Sequence, residues 1–392
     1  MAYFDNAATT FPKPDCVYDF MDSFYRAQGG SAGRGNHSFS ESAGKVTFGT
    51  RKRLQEILHC QNKQIIFTPT TTIALNMILQ GVIEKLESAV ERNRNNRKIT
   101  VYVSPFEHNA VTRVLHHFEH SGRINVKTLS VTKTLSYDFE KIESQFKKEK
   151  PDLLVVSHAS NVIGLVSPAE DLCKLAKKFD ASTVIDMAQT AGLVDLNVGL
   201  ETIDFAVFAG HKTLYGPTGI SGFAMKTDFN LPPILFGGTG YESANQDMPE
   251  DIPQRYEIGT LNISGIAGLY AATSWILETG IESIWKREQE HRKRLLEVFA
   301  RYDFVTIVGN ELGQSYAGIV SCLIEGLPSD TAGSIFAEQN IAVRTGLQCA
   351  PLAHKTLGTF PAGTVRFSTG YFTSDEDFAE LEKAMEYIAR NI

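Results

Sequence analysis

Short apolar runs recur along the first half of the chain, at Ile65–Thr68, Ile99–Ser104, Ile124–Val131, Leu153–Ser157, Thr183–Ile185 and Ile203–Phe208. Each has the length and β-branched content of a buried strand. Longer stretches with an apolar stripe separate them. Thr71–Lys85, Asn109–His120 (closed by Gly122) and Asp138–Glu149 each predict a helix. Another helix opens at Ser167-Pro168-Ala169-Glu170, which fits a capping box with proline at the first helical position. Strands alternating with helices predict an α/β fold with a mostly parallel sheet covered on both faces.

From Asn262 the texture changes. A helical stretch runs from Gly265 to Tyr302 with a break near Gly280, and shorter elements follow at Gly318–Ile324, Asp330–Glu338, Ile341–Arg344 and Val365–Ser368. The last helix is capped by Ser374 and acidic in its first turn at Asp375, Glu376 and Asp377, which complements the helix dipole. The pattern predicts a large α/β domain over residues 16–260 and a small α+β domain made of 1–15 and 261–392.

Composition narrows the function. The chain has 392 residues, 43% hydrophobic and 21% charged, which is ordinary for a globular protein. Its net charge of −7 argues against nucleic-acid binding. The basic and asparagine-rich end of Glu84–Lys98 reads as a solvated loop. The N-terminus lacks the pattern of a signal peptide, and no apolar run is long enough for a membrane span, so the expected compartment is the cytoplasm. Five cysteines (Cys16, Cys60, Cys173, Cys322 and Cys349) without a CxxC pair exclude a disulfide framework and a zinc ribbon. His116 and His120 share a helix face, but no carboxylate or cysteine pattern completes a metal site.

The densest chemistry lies at Ala209-Gly210-His211-Lys212, where an apolar strand delivers a lysine into a glycine-flanked turn. A P-loop is excluded, because His211 and Ala206 stand where that loop needs glycine. A surface lysine and a Schiff-base lysine for a carbonyl cofactor both remain open. In an open parallel sheet, ligands sit at the carboxyl ends of strands. The strand ends here offer Pro69-Thr70-Thr71-Thr72 before a helix, Glu107-His108, His158-Ala159-Ser160-Asn161, Asp186-Met187-Ala188-Gln189 and His211-Lys212. Hydroxyls at a helix N-terminus suit a phosphate. A ring partner, an amide, a carboxylate and an amine complete what pyridoxal phosphate needs.

Six segments then stand in order: Asn6-Ala7-Ala8-Thr9-Thr10, Glu107-His108-Asn109, Ser160-Asn161-Val162-Ile163-Gly164, Asp186-Met187-Ala188-Gln189, Gly210-His211-Lys212 and Arg344-Thr345-Gly346-Leu347-Gln348-Cys349-Ala350-Pro351. Together they resemble the cysteine desulfurase and selenocysteine lyase group of class V aminotransferase-fold enzymes, across essentially the whole chain. The resemblance implies the type I, aspartate aminotransferase-like fold, with a seven-stranded sheet and pyridoxal 5′-phosphate as cofactor. It implies that Lys212 holds the cofactor and shuttles the α-proton, that Asp186 pairs with the pyridine N–H, and that Gln189 bonds the ring oxygen with Asn161 nearby. It implies that His108 stacks on the ring and serves in acid–base chemistry. Thr71, Thr72 and His211 would hold the phosphate, and Thr260 would reach the phosphate of the other subunit in a homodimer. Arg366 would bind the substrate carboxylate, assisted by Arg344 and Asn161.

The same resemblance gives Cys349 the role of attacking the sulfur of L-cysteine, leaving alanine and a persulfide. L-selenocysteine is the alternative substrate, and an aminotransferase with an idle Cys349 or a non-catalytic sulfur carrier are more distant readings. The short loop around Cys349 resembles that of enzymes that pass sulfur to a separate acceptor protein. The chain departs from many relatives at Ala209, where they carry serine, at Thr213, which is extra, at Ile73, in place of glutamate, and at Gln348, in place of histidine.

Overall fold

The computed structural model describes residues 1–32, 35, 37–92 and 97–391. Residues 93–96, within the predicted solvated loop, lie outside the described residues. The chain opens with β1 (Ala2–Tyr3), α1 (Asp15–Gln28) and α2 (Ser38–Ile57). The alternating section comes next: β2 (Lys63–Thr68), α3 (Thr71–Arg92), β3 (Ile99–Val103), α4 (Asn109–His120), β4 (Ile124–Thr128), α5 (Phe139–Lys148), β5 (Leu153–Ser157), α6 (Ala169–Lys177), β6 (Ser182–Asp186), β7 (Phe205–Ala209) and β8 (Ser221–Lys226). The remainder runs α7 (Ile263–Thr279), α8 (Ile281–Phe299), β9 (Val305–Val308), β10 (Ile319–Ile324), α9 (Ser329–Glu338), β11 (Ile341–Ala342), β12 (Arg344–Gly346), α10 (Pro351–Leu357), β13 (Thr364–Ser368) and α11 (Asp375–Asn391).

Strands β3, β5 and β7 are buried at every position, which is what a sheet covered on both faces requires. They belong to a seven-stranded sheet of order β2-β8-β7-β6-β5-β3-β4, parallel except for β8. Alternation assigns side chains to opposite faces. Leu154, Val156, Ala206 and Phe208 join a core with α1, α2, α6 and α7, while Leu153, Val155, Phe205 and Val207 join a second core under α3 and α4. A separate four-stranded antiparallel sheet, β12-β13-β10-β9, packs a third core against α8, α9 and α11.

Most predicted elements form near their expected places. The strand from Ile124 stops at Thr128, and Val131 forms only an isolated bridge to Tyr137. The capping box at Ser167 does not form: the Ser167 hydroxyl donates to the Ser157 carbonyl (2.8 Å) and meets the Tyr137 hydroxyl (2.9 Å), so α6 starts after Pro168 without a side-chain cap. Burial of a tyrosine hydroxyl outweighs a local cap here. At the last helix the capping pattern does form: the Asp377 N–H donates to Ser374 Oγ, and the Ser374 N–H donates to Asp377 Oδ2.

The two larger sheets are tied together through Tyr215, three residues after Lys212. Its hydroxyl accepts from the Tyr371 N–H (2.9 Å) and donates to Glu288 Oε1 (3.2 Å), and Glu288 is buried. Burial pushes the Glu288 carboxyl up from 4.5 to about 8, so it is protonated at neutral pH. The folded chain therefore holds a proton that the unfolded chain has lost between those values, and stability falls as pH rises through that window. Glu288→Gln supplies a neutral group of the same shape. Its stability relative to wild type should climb between pH 5 and 8, by at most about 1.4 kcal/mol per pH unit. Denaturant titrations across that range check this, and a pH-independent difference would refute a protonated Glu288.

Candidate active site at the strand ends

The parallel strands β5, β6 and β7 end side by side, with Ser157 opposite Asp186 and Asp186 opposite Val207. This register delivers the polar groups beyond each strand to one crevice. A cavity of about 290 Å³ opens there, lined by Thr71, Thr72, His108, Ser157, Asn161, Asp186, Gln189, His211 and Lys212 among others. Eight of the nine residues expected to bind cofactor are thus brought together. The ninth, Thr260, lies exposed outside this lining.

The turn carrying Lys212 needs its glycine: a Cβ on Gly210 would collide with the Ile220 carbonyl. The N-terminal segment then pins the turn by its carbonyls. The Thr10 N–H and the Thr9 hydroxyl both donate to the His211 carbonyl at 3.1 Å, and the Thr10 hydroxyl donates to the Lys212 carbonyl at 2.8 Å. Lys13 Nζ adds a contact to the His211 carbonyl at 3.3 Å. Burial pulls the Lys212 amine down to about 8, opposed by Asp186 and reinforced by Arg366 and Arg344. An amine in this range is available as a nucleophile or base near neutral pH.

Asp186 is buried, which raises its pKa; the Ala188 N–H on Oδ1 (2.9 Å) and the Lys212 charge oppose that shift. Gln189 gives one amide N–H to the Ala7 carbonyl (3.0 Å), which leaves it a second N–H to donate. His108 caps α4, its Nδ1 accepting from the Ala110 N–H (3.0 Å), so the neutral ring carries its proton on Nε2. Burial and the nearby cations push this imidazole down to about 4, and any acid–base role starts from the neutral ring. Thr70 supplies the α3 cap, its Oγ1 accepting from the Ile73 N–H (3.2 Å), so neither Thr71 nor Thr72 is needed as the cap. His158 turns away to Thr190 (2.9 Å) and does not line the cavity.

Arg366 is almost fully buried. It donates to the Asn161 carbonyl (2.9 Å) and to Asp5 Oδ1 (2.6 Å), and its Nε has no protein partner. Sequence reasoning missed Asp5, although it immediately precedes the Asn6–Thr10 motif. Arg344 lies on β12 with Nη2 3.9 Å from Cys349 Sγ. Cys349 is exposed and lines a groove of about 460 Å³ that shares Thr72, His108 and Ala110 with the Lys212 cavity.

Two buried atoms beside the cavity, His211 Nδ1 and Asn161 Oδ1, lack any protein partner. Orphaned buried polar atoms cost stability unless a ligand satisfies them. With an amine, a carboxylate and a helix N-terminus in the same crevice, the donor set fits a small planar cofactor that carries an aldehyde and a phosphate. Among the described residues, no group of histidine, cysteine and carboxylate side chains could hold a metal ion. Of the departures from many relatives, Thr213 is absorbed locally, its hydroxyl donating to the Ala191 carbonyl (2.8 Å), and Ile73 is exposed.

Known proteins place the chain in a family. A probable cysteine desulfurase of Pyrococcus abyssi is 29% identical over 405 residues, covering 100% of this chain and 94% of its own. A second, from Xylella fastidiosa strain Temecula1, is 29% identical over 391 residues, covering 98% and 90%. The apo structure of a cysteine desulfurase from Thermococcus onnurineus NA1 matches with a TM-score of 0.89 at 29% identity, covering 100% of this chain and 95% of that one. The model of the aminotransferase class-V family matches residues 2–381, and the chain belongs to that family.

Proposed function

We propose that this chain is a pyridoxal-phosphate-dependent cysteine desulfurase, taking sulfur from L-cysteine to leave L-alanine and a persulfide on Cys349. The observation that carries this reading is an exposed thiol beside Arg344, in a groove that shares Thr72, His108 and Ala110 with the lysine cavity. The full-length relatives named as probable cysteine desulfurases support it.

When bound, the cofactor supplies an electron-withdrawing ring conjugated to the substrate's α-carbon. Thr71, Thr72 and His211 would hold its phosphate. Asp186 would face the ring N–H, whose positive charge favours the ionised carboxylate. Gln189 would give its second N–H to the ring oxygen, with Asn161 alongside and His108 against the ring face. Arg366, helped by Arg344 and Asn161, would take the substrate carboxylate; its Nε is buried and has no protein partner. Lys212 would move the α-proton. The Cys349 thiolate then forms an S–S bond to the substrate sulfur as the Cβ–S bond breaks. The electron pair stays on carbon and takes a proton, giving alanine. L-cysteine plus thiol becomes L-alanine plus persulfide, so no outside oxidant is required.

The working unit is proposed to be a homodimer in which Thr260 reaches the partner's phosphate. Exposed Phe48 and Phe236, and Tyr241 beside a groove of about 580 Å³ that also includes Gly259, support a covering second copy. The persulfide would pass to a separate acceptor protein. The cytoplasm is the proposed compartment, where the five unpaired cysteines would stay reduced; among the described residues no helix is long and apolar enough to cross a membrane.

The deciding test is alanine and persulfide formation from L-cysteine by wild type and Cys349→Ser, with cofactor content checked in both. Wild type should form both products. The variant should keep its cofactor and lose at least about a hundredfold in rate. Undiminished activity in Cys349→Ser would move the reading to selenocysteine lyase or aminotransferase chemistry. Loading of apo protein with pyridoxal phosphate should speed up with pH until about 8, where the free Lys212 amine dominates, and then level off. Below that point the rate should drop about tenfold per unit. Lys212→Ala should lack the absorbance of lysine-bound cofactor at every pH. Sedimentation should return twice the 43.3 kDa chain mass; a monomer would remove the role proposed for Thr260.

A further inference from the structure

The loop that carries Cys349 is built against the backbone preference of its own residues. Gly346, Gln348 and Cys349 take φ values of 81°, 39° and 58°. Glycine enters this left-handed region freely, whereas a glutamine followed by a cysteine does not. Such a conformation persists only where the surroundings over-determine it. Regular structure does not supply the restraint, because β12 ends at Gly346 and α10 begins at Pro351.

Hydrogen bonds supply it instead. Asn161 Nδ2 donates to the Gln348 carbonyl (2.7 Å), and the N–H of Asn109, the first residue of α4, donates to the Cys349 carbonyl (2.7 Å). These hold the main chain. The Gln348 side chain turns inward: its Nε2 donates to the Thr364 carbonyl on β13 (3.0 Å), and its Oε1 lies 2.8 Å from His354 Nε2. His354 is fully buried on α10, with Nδ1 2.7 Å from the Thr359 hydroxyl.

The partners fix the protons. Gln348 Nε2 donates to a carbonyl, so Oε1 must accept, and His354 Nε2 must carry a hydrogen. Nδ1 is then an acceptor, and the Thr359 hydroxyl donates to it. A neutral imidazole in one tautomer satisfies these contacts, and burial, which lowers the His354 pKa, favours the neutral ring. The chain of bonds from Thr359 through His354 and Gln348 to Thr364 joins α10 to β13 through the residue that precedes Cys349. Fully satisfied buried networks of this kind rigidify what they hold.

We infer that Gln348 and His354 form a buried brace that sets the position of the Cys349 thiol, which makes them positioning residues for sulfur transfer. The inference rests on the reading of Cys349 as the sulfur acceptor. Glutamine stands next to the cysteine in this chain, and an imidazole six residues further on meets its side-chain oxygen.

The test compares two substrates on the cofactor-loaded enzyme. L-cysteine needs attack by the thiol, whereas β-chloro-L-alanine, once its α-proton is removed, expels chloride without the thiol and is hydrolysed by water to pyruvate and ammonia. Gln348→Ala and His354→Phe should each lower kcat for L-cysteine by roughly tenfold, with KM changed by no more than about twofold. Both should keep cofactor content and pyruvate release from β-chloro-L-alanine. The double variant should lose no more than either single one, since both changes cut one network. Alkylation of Cys349 by iodoacetamide, followed by mass spectrometry without substrate, should shift by about threefold or more in both. Thr359→Val cuts the same chain more gently and should show the same split, which keeps the test open if a larger change prevents folding.

Equal loss of both activities, additive losses in the double variant, or a wild-type rate with L-cysteine would each overturn the brace. Cys349→Ser in the same assay separates the two claims. If it still desulfurates, the acceptor reading falls and the brace with it. If it is inactive while the Gln348, His354 and Thr359 variants run normally, only the brace falls.

Discussion

The site depends on one lysine amine that a crevice partly withdraws from water and a pinned turn presents. Burial of Lys212 in the cavity costs the charged form more than the neutral one, and that difference brings the amine down to about 8. The backbone that carries the amine is fixed, because the carbonyls of His211 and Lys212 are taken by Thr9, Thr10 and Lys13. Tyr215 holds the other end of the turn through Tyr371 and Glu288. A reactive group on a turn is thereby given the rigidity of a sheet.

Cations and carboxylates oppose each other in the crevice: Asp186 and Asp5 raise the Lys212 pKa while the arginines lower it. Arg366 and Arg344 depress both Lys212 and His108, so the protein favours neutral bases beside fixed cations. That balance suits an anionic ligand, which would cancel the cations it meets. Asp5 moderates the field by pairing with Arg366, yet it leaves Arg366 Nε without a partner. The pair also orients the guanidinium, and a bidentate contact with a carboxylate depends on that orientation. Asp5 and Arg366 stand at opposite ends of the chain, so folding must close a contact across 361 positions before the site exists.

Much of this was legible in the sequence because buried parallel strands are continuous apolar runs, and the polar residues just past each run meet at the sheet edge. Lys212, Asp186, Asn161, Gln189 and His108 obey that rule. The features that escaped depend on partners distant in sequence. Strand β8 carries Gly222, a residue that argues against a strand; it is needed because a Cβ there would collide with the Ile66 carbonyl and crowd Phe208. Lys63 opens β2 with a buried amine, which the carbonyls of Val198, Leu200 and Ile203 accept, and no local pattern signals that. Ser167 has the sequence of a cap, but Ser157 and Tyr137 draw it away. His158 has the same address as the other strand-end groups, and its turn toward Thr190 is a packing outcome.

The two reactive groups sit on separate sheets, and this separation explains why the chain builds so much polar structure between them. Lys212 comes just after β7 of the seven-stranded sheet, while Cys349 comes just after β12 of the four-stranded one. Neither sheet alone fixes the distance from amine to thiol. Asn161 spans the gap: it lies beyond the end of β5, faces the cavity, donates to the Gln348 carbonyl and accepts from Arg366 through its own carbonyl. Asn109 at the start of α4 does the same from the other side through the Cys349 carbonyl. A side chain without hydrogen-bonding groups at position 161 would fill the space but cut the loop from the sheet. The residue type at that position is therefore set by the need to join the two sheets, and the contact it offers a ligand through the unpartnered Oδ1 is made by the same side chain.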